Sequence, residues 1–240
     1  MQNAAFRAVG LDWSYELLDV APAGVAAAMR QLREPDVAGA NVTIPHKQAV
    51  MQHLDSLDPE ALRARAVNTI VRDGQRLVGS NTDVAAIVAA IAAIGLTPKG
   101  ATAVVLGAGG SARAAAVALE GAHLVFVSRH PDDADLPGRV IPWTDPSLPK
   151  LVREADLLVN ATPLGRRDEM PIRPAALPRE GAVIDLVYVT GGTPLVRKAR
   201  SLGLRTVDGW AVLLTQGARS FEAWTGREAP IDAMRDTLQP

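Results

Sequence analysis

The sequence predicts an α/β protein built on a parallel sheet, and three observations carry that reading. The first is the stretch Val104-Val105-Leu106-Gly107-Ala108-Gly109-Gly110-Ser111-Ala112-Arg113-Ala114, where an aliphatic run meets a glycine cluster and then an alanine-rich helical pattern. Strand, Gly-x-Gly-x-x-Ala, helix is the order of a dinucleotide-binding turn. Gly107 permits the tight turn, Gly109 lets the main chain approach a pyrophosphate, and Ala112 lets the helix pack closely on the strand. The helix start, with Ala108, Gly110 and Ser111 around it, offers N–H donors and a partial positive charge to phosphates. The second observation is that apolar segments near Ala103, Leu124, Val140, Leu157 and Val183 alternate with helical patterns, the signature of crossover connections. The third is size: 240 residues, 48% hydrophobic and 21% charged, suffice for one large core or two modest ones.

Composition removes several function classes. A formal net charge of −1 without any basic run argues against nucleic acid or an anionic membrane as partner. The absence of cysteine excludes a disulfide framework, a thiolate zinc site and a cysteine nucleophile, and suits a reducing cytoplasm. The longest apolar run, 84–96, is broken by glycine and is too short to span a bilayer. Gln2 and Asn3 stand where a basic secretory leader would begin.

Taken in order, residues 3–9 read as the end of a helix stopped by Gly10. Residues 14–20 read as a short strand, 24–32 as an alanine-rich amphipathic helix and 37–42 as a second strand. Pro45 suits the first turn of a helix running to about Leu54, and a short helix follows from Pro59. Residues 67–71 and 76–79 read as a hairpin closed by Asp73-Gly74. Asn81-Thr82-Asp83 has the composition to cap a helix over 84–94. Thr97-Pro98-Lys99-Gly100 reads as a linker into the alternating strand–helix region. After Arg205 the strand signals stop, and 208–224 and 231–238 read as helices.

The stretches Gly39-Ala40-Asn41-Val42-Thr43-Ile44-Pro45-His46-Lys47, Ala66-Val67-Asn68-Thr69-Ile70, Gly79-Ser80-Asn81-Thr82-Asp83 and Asp208-Gly209 through Gln216 together resemble the shikimate dehydrogenase family. Asn160-Ala161-Thr162-Pro163-Leu164-Gly165 and Asp185-Leu186-Val187-Tyr188 resemble that family's nucleotide-domain motifs. The resemblance covers almost the whole chain. It implies two α/β domains: a substrate domain from both chain ends, 1–98 with 208–240, and a Rossmann-type NADP-binding domain over 99–207. It implies the reversible NADP-linked reduction of 3-dehydroshikimate to shikimate, a step of aromatic amino-acid biosynthesis. A homodimer is an assembly the sequence leaves open.

By the same resemblance Lys47 and Asp83 are the catalytic pair. Hydride arriving at a ketone leaves an alkoxide that needs a proton, which a lysine and an aspartate together can supply. Taken singly, Lys47 reads as a surface lysine and Asp83 as a helix cap, and which of them gives the proton stays open. Thr43, Asn68, Gln216 and Tyr188 resemble the family's contacts to a polyhydroxylated ring, for which amides supply donor and acceptor in one group. Asn160, Ala161, Thr162 and Gly209 fall to the cofactor. Ser128-Arg129 ends the second strand of the nucleotide region, where an NAD site usually places an acid. Arg129 favours the 2′-phosphate of NADP, whereas Asp132 and Asp133 favour an NAD ribose.

Departures from the family pattern leave other readings. The family's first strand and its Ser-x-Ser pair have no counterpart before Asn3, so Met1 is expected to be an internal methionine of a longer protein, or the chain a fragment. Val84 and Ala86 replace glycines, Val212 a methionine, and Val189-Thr190-Gly191-Gly192 a proline-bearing turn. The alternatives are an NAD-using quinate or shikimate dehydrogenase, and a nucleotide-binding relative without catalysis.

Overall fold

The computed structural model describes residues 1–238 and divides the chain into two compact units, Met1–Asp83 with Leu214–Pro240, and Val84–Leu213. Both boundaries fall inside helices. The linker composition at 97–100 and the boundary at 207–208 that the resemblance implies lie elsewhere, and an unbroken helix leaves no linker to mark where its packing partners change.

The first unit begins with α1 (Gln2–Ala8), α2 (Val25–Gln31), β1 (Gly39–Asn41), β2 (Ser56–Leu57), α3 (Pro59–Ala64), β3 (Thr69–Asp73) and β4 (Arg76–Ser80). Its sheet has the order β1-β3-β4-β2, with β1 and β4 antiparallel to β3, and β2 parallel to β4. Asn41 pairs with Thr69, and Thr69 with Ser80, so three polar residues share one row across the sheet. Val25, Met29, Val67, Ile70 and Leu77 form the core under the sheet. Asp58 starts α3 by accepting the Ala61 N–H at 2.6 Å, a cap worth about 1 kcal/mol.

Two expectations for this unit are corrected. The strand expected over 14–20 does not form, because its polar groups bond side chains instead of a ladder. Asn3 Oδ1 accepts the Tyr15 N–H at 2.6 Å, Asn3 Nδ2 donates to Tyr15 O at 3.0 Å, and His46 Nε2 meets Val20 O at 2.6 Å. Pro45 does not open a helix. The Ile44–Pro45 peptide is cis, and residues up to Gln48 run as turns before a 3₁₀ helix at Ala49–His53.

The second unit contains α4 (Thr82–Ala93) beyond its first turn, β5 (Thr102–Leu106), α5 (Gly110–Ala118), β6 (His123–Ser128), β7 (Arg139–Pro142), α6 (Leu148–Arg153), β8 (Leu157–Asn160), β9 (Ala182–Asp185), α7 (Pro194–Ser201) and β10 (Arg205–Val207). All six strands are parallel, in the order β10-β9-β8-β5-β6-β7. That is the doubly wound order, reversing direction between β5 and β8, where α/β sheets bind ligands at their carboxyl ends. β10 corrects the expectation that strands stop after Arg205. A three-residue edge strand with two polar residues carries no apolar run to announce it. Leu106, Phe126, Leu157, Leu158 and Ile184 are fully buried, each worth roughly 1.5–3 kcal/mol.

α8 (Gly209–Thr225) and α9 (Ile231–Asp236) complete the chain. In the first unit Phe6, Phe221, Ala229 and Met234 build a second core, with the Phe6 and Phe221 rings 5.6 Å apart. Among the described residues no helix is long and apolar enough to cross a membrane.

Candidate active site

The segment carrying Lys47 is fixed beside Asn68 by main-chain bonds. Val42 N–H donates to Asn68 O at 2.8 Å, and Val67 N–H to Lys47 O at 2.7 Å. On the other side Asn68 N–H donates to Ser80 O at 3.1 Å, at the end of β4, and α4 starts two residues later. The chain therefore returns Asp83 to Lys47. Lys47 Nζ donates to Asp83 Oδ2 at 2.5 Å, with the two side chains 12% and 13% exposed. A pair so sheltered is little screened by salt, and losing one partner costs about 3–5 kcal/mol. The cap expected from 81–83 is thus rearranged. Thr82 and Asp83 lie inside the first turn, Asn81 donates to Ala66 O at 2.8 Å, and the Asp83 carboxylate turns to Lys47 and Asn68.

Asn68 is buried, and its amide orientation is set by a donor that cannot reverse: the Thr82 N–H reaches Oδ1 at 2.8 Å. Nδ2 then faces Asp83 Oδ1 at 2.8 Å and Thr82 Oγ1 at 3.0 Å. Both amide hydrogens have acceptors, and Asp83 receives Lys47 on one oxygen and Asn68 on the other. Sequence reasoning missed the hydroxyls behind this amide, Thr69 and Ser220, together with Asn41. Ser220 Oγ lies 2.8 Å from Thr69 Oγ1 and accepts from Asn41 Nδ2 at 2.9 Å. Its position one helical turn after the expected Gln216 was the available signal. Gln216 is half-buried on α8, and its carbonyl accepts the Ser220 hydroxyl at 3.0 Å. Thr43 is exposed in the turn before Lys47.

The residues expected at the cofactor lie in the second unit, and so does Tyr188. The residue is 40% exposed and its ring is centred 5.1 Å from that of Trp210, whose Nε1 donates to Val189 O at 3.1 Å. Gly209 serves close packing, since a Cβ there would lie 2.4 Å from the Val187 main chain. At the glycine turn, Gly107 has φ +108° and a Cβ would lie 3.0 Å from Ala161 O, so conformation and space both demand glycine. Gly109 differs. Its φ is −83°, and a Cβ would meet no protein atom within 4 Å. The fold leaves open space where main chain and pyrophosphate would meet, at the first turn of α5 with Gly110, Ser111 and buried Ala112. Ser128 Oγ accepts the His130 N–H at 3.0 Å, shaping the turn that leaves Arg129 exposed after β6.

Asn160 is fully buried and spends its amide within the second unit. It donates to Leu164 O and Asp185 Oδ1, both at 2.9 Å, and accepts the Thr162 hydroxyl at 2.7 Å and the Thr162 N–H at 3.2 Å. Ala161 N–H donates to Leu106 O at 2.9 Å, joining this loop to β5. Asp185 accepts two further donors, Val187 N–H at 3.0 Å and the Thr193 hydroxyl at 2.6 Å. Burial pushes its carboxyl up to about 6 against the pull of these donors, and the Asp208 carboxylate adds to the rise.

Two family models match the chain: the shikimate dehydrogenase substrate binding domain over residues 1–70, and the shikimate 5′-dehydrogenase C-terminal domain over 209–239. A shikimate dehydrogenase (NADP(+)) of Desulforamulus reducens is 40% identical over 99% of this chain and 88% of its own length. Shikimate 5-dehydrogenase from Thermus thermophilus, solved with NADP(H) and shikimate, superposes with a TM-score of 0.86 at 37% identity. That match covers 99% of this chain and 91% of the other. The enzyme from Listeria monocytogenes, solved with shikimate and NAD, gives 0.83 at 30% identity over 99% and 90% of the two chains.

Proposed function

Because the chain belongs to the shikimate dehydrogenase family, we propose that it catalyses the reversible, NADP-linked reduction of 3-dehydroshikimate to shikimate, as a cytoplasmic biosynthetic enzyme. The observation that carries the reading is the sheltered Lys47–Asp83 pair, 2.5 Å between Nζ and Oδ2, with Asn68 on the second carboxylate oxygen. The first unit, with both chain ends, is assigned to the substrate and the second to the dinucleotide.

NADPH, when bound, supplies the hydride, and NADP accepts it in the reverse direction. The residues that would hold it are those of the turn 107–112, with Arg129 at the 2′-phosphate, Ser128 shaping its turn, and Thr162 and Ala161 on the loop after β8. The open space beside Gly109 fits that assignment. Lys47 and Asp83 manage one proton. As the ketone carbon takes hydride, its oxygen gains negative charge, the Lys47 ammonium stabilises that charge, and the pair delivers one proton to the oxygen. In oxidation the pair removes the hydroxyl proton. Thr43, Gln216 and Tyr188 are assigned to the ring's other polar groups. Asn68, assigned to the same ring by the resemblance, also keeps an amide hydrogen on Asp83.

The test is NADPH formation by the purified chain on shikimate, with quinate and NAD as alternatives. Shikimate with NADP should give the highest kcat/KM, and a folded Lys47→Ala variant should lose about 10²–10⁴ in kcat. No NADPH from shikimate, or a Lys47→Ala variant with unchanged kcat, would sink the proposal. The exposed carboxylates Asp132 and Asp133, in the turn directly after Arg129, favour a second reading in which NAD is the working cofactor.

A further inference from the structure

The polar cluster behind Asn68 is larger than the chemistry above uses. Tyr15 donates its hydroxyl to Asn41 Oδ1 at 3.1 Å, which turns Asn41 Nδ2 inward to Ser220 Oγ at 2.9 Å. With that lone pair taken, the single Ser220 hydrogen is left for Thr69 Oγ1 at 2.8 Å or Gln216 O at 3.0 Å. Thr69 passes its own hydrogen to Asn68 Oδ1 at 3.1 Å, beside the Thr82 N–H. A flipped Asn68 would set its Nδ2 against two donors, Thr69 Oγ1–H and Thr82 N–H, and would take its hydrogen away from Asp83. Thr69 and Ser220 are both 0% exposed, so neither reaches a ligand.

We propose that the Thr69 and Ser220 hydroxyls are a positioning pair that fixes the Asn68 amide, and through it the Asp83 carboxylate, for proton exchange with the substrate oxygen. The inference rests on the dehydrogenase reading above. It ties three places far apart in sequence, β1 at Asn41, β3 at Thr69 and α8 at Ser220, to the geometry of one carboxylate. Thr69 gives Asn68 Oδ1 a second donor beside the Thr82 N–H, and Ser220 holds Thr69 from behind, so that removing one hydroxyl loosens the amide without touching the Lys47–Asp83 bond itself.

Steady-state oxidation of shikimate with NADP by the full chain distinguishes the possibilities, using Thr69→Val, Ser220→Ala and Thr69→Ser. Both hydroxyl deletions should lower kcat about 10- to 100-fold with KM within about twofold, because misplacing a reacting group by about 1 Å costs that much. Thr69→Ser, which keeps the hydroxyl, should restore kcat to within about twofold. Lowered thermal midpoints with unchanged kcat would overturn the proposal and leave the hydroxyls a purely structural role. So would a raised KM at unchanged kcat, which would confine Asn68 to substrate binding. Failure of both deletions to fold while Thr69→Ser folds would assign the pair to folding and overturn it as well. An unaltered chain that leaves shikimate untouched would sink the dehydrogenase reading, and the positioning role with it.

Discussion

Each unit buries an aspartate against an asparagine, and the two pairs end in different chemistry. In the first, Asn68 donates to Asp83 at 2.8 Å and Lys47 brings a full positive charge to the other oxygen at 2.5 Å. In the second, Asn160 donates to Asp185 at 2.9 Å, and the remaining partners are the neutral Val187 N–H and Thr193 hydroxyl. Asp83 keeps a little exposure, 13% of its side chain, whereas Asp185 has none. The same two residue types therefore build an ion-paired, slightly exposed carboxylate where a cation is present, the one to which the proposed function gives proton handling. Where the cation is replaced by neutral donors, they build a knot that holds loops. Asp185 joins the loop after β8, the start of the 187–189 segment and the cap of α7.

The contrast breaks most visibly in turnover. Asp83→Asn should lower kcat for shikimate by about 10²–10⁴, while Asp185→Asn, measured in the same assay, should stay within about tenfold of the unaltered chain. Equal losses would erase the distinction between the two carboxylates.

The next effect is in stability against pH. Asp185 has a folded value of about 6 against 3.8 for the ordinary group, so the folded chain holds this proton more tightly. The associated stabilisation is fully present below 3.8 and is lost as pH rises through about 6. The gap of about two units corresponds to something on the order of 3 kcal/mol. Urea unfolding between pH 4 and 7.5 should show the unaltered chain losing stability relative to Asp185→Asn as pH rises, with the difference flat above about 7. A difference independent of pH would mean that the three donors fully offset burial.

The smallest effect concerns a charge the second unit leaves exposed. Arg129→Ala should raise the KM for NADP about tenfold, the worth of a charge-assisted bond, and leave that for NAD nearly unchanged. Equal changes for both cofactors would remove Arg129 from the 2′-phosphate.

Much of this architecture was legible because the central strands of the second unit are unbroken apolar runs bounded by turns. A strand buried on both faces has no other way to be written. β10 escaped because Arg205-Thr206-Val207 sits at an edge, where polar residues are tolerated. The segment 14–20 looked like a strand and is none, since a strand is defined by a partner ladder that no local pattern reports. Lys47, Asn68 and Asp83 stood out through motifs that can be compared as text. Thr69 and Ser220 did not, being 151 positions apart and of a residue type that occurs throughout any chain. Ser220 gains its meaning from the Asn41 and Thr69 side chains beside it, which only the folded first unit brings together.

The glycine turn separates two kinds of constraint. Position 107 is demanded by the main chain itself, through φ +108° and the nearness of Ala161. Position 109 meets no such demand among the described residues, since an added methyl would touch none of their atoms within 4 Å beyond its chain neighbours. A library scored on yield or thermal survival would therefore rank the first as indispensable and the second as permissive. Cellular quality control, which also reads folding, would pass the same variants. If a pyrophosphate occupies that space, selection at Gly109 acts through catalysis alone, and damage there would leave an abundant, well-folded and idle protein.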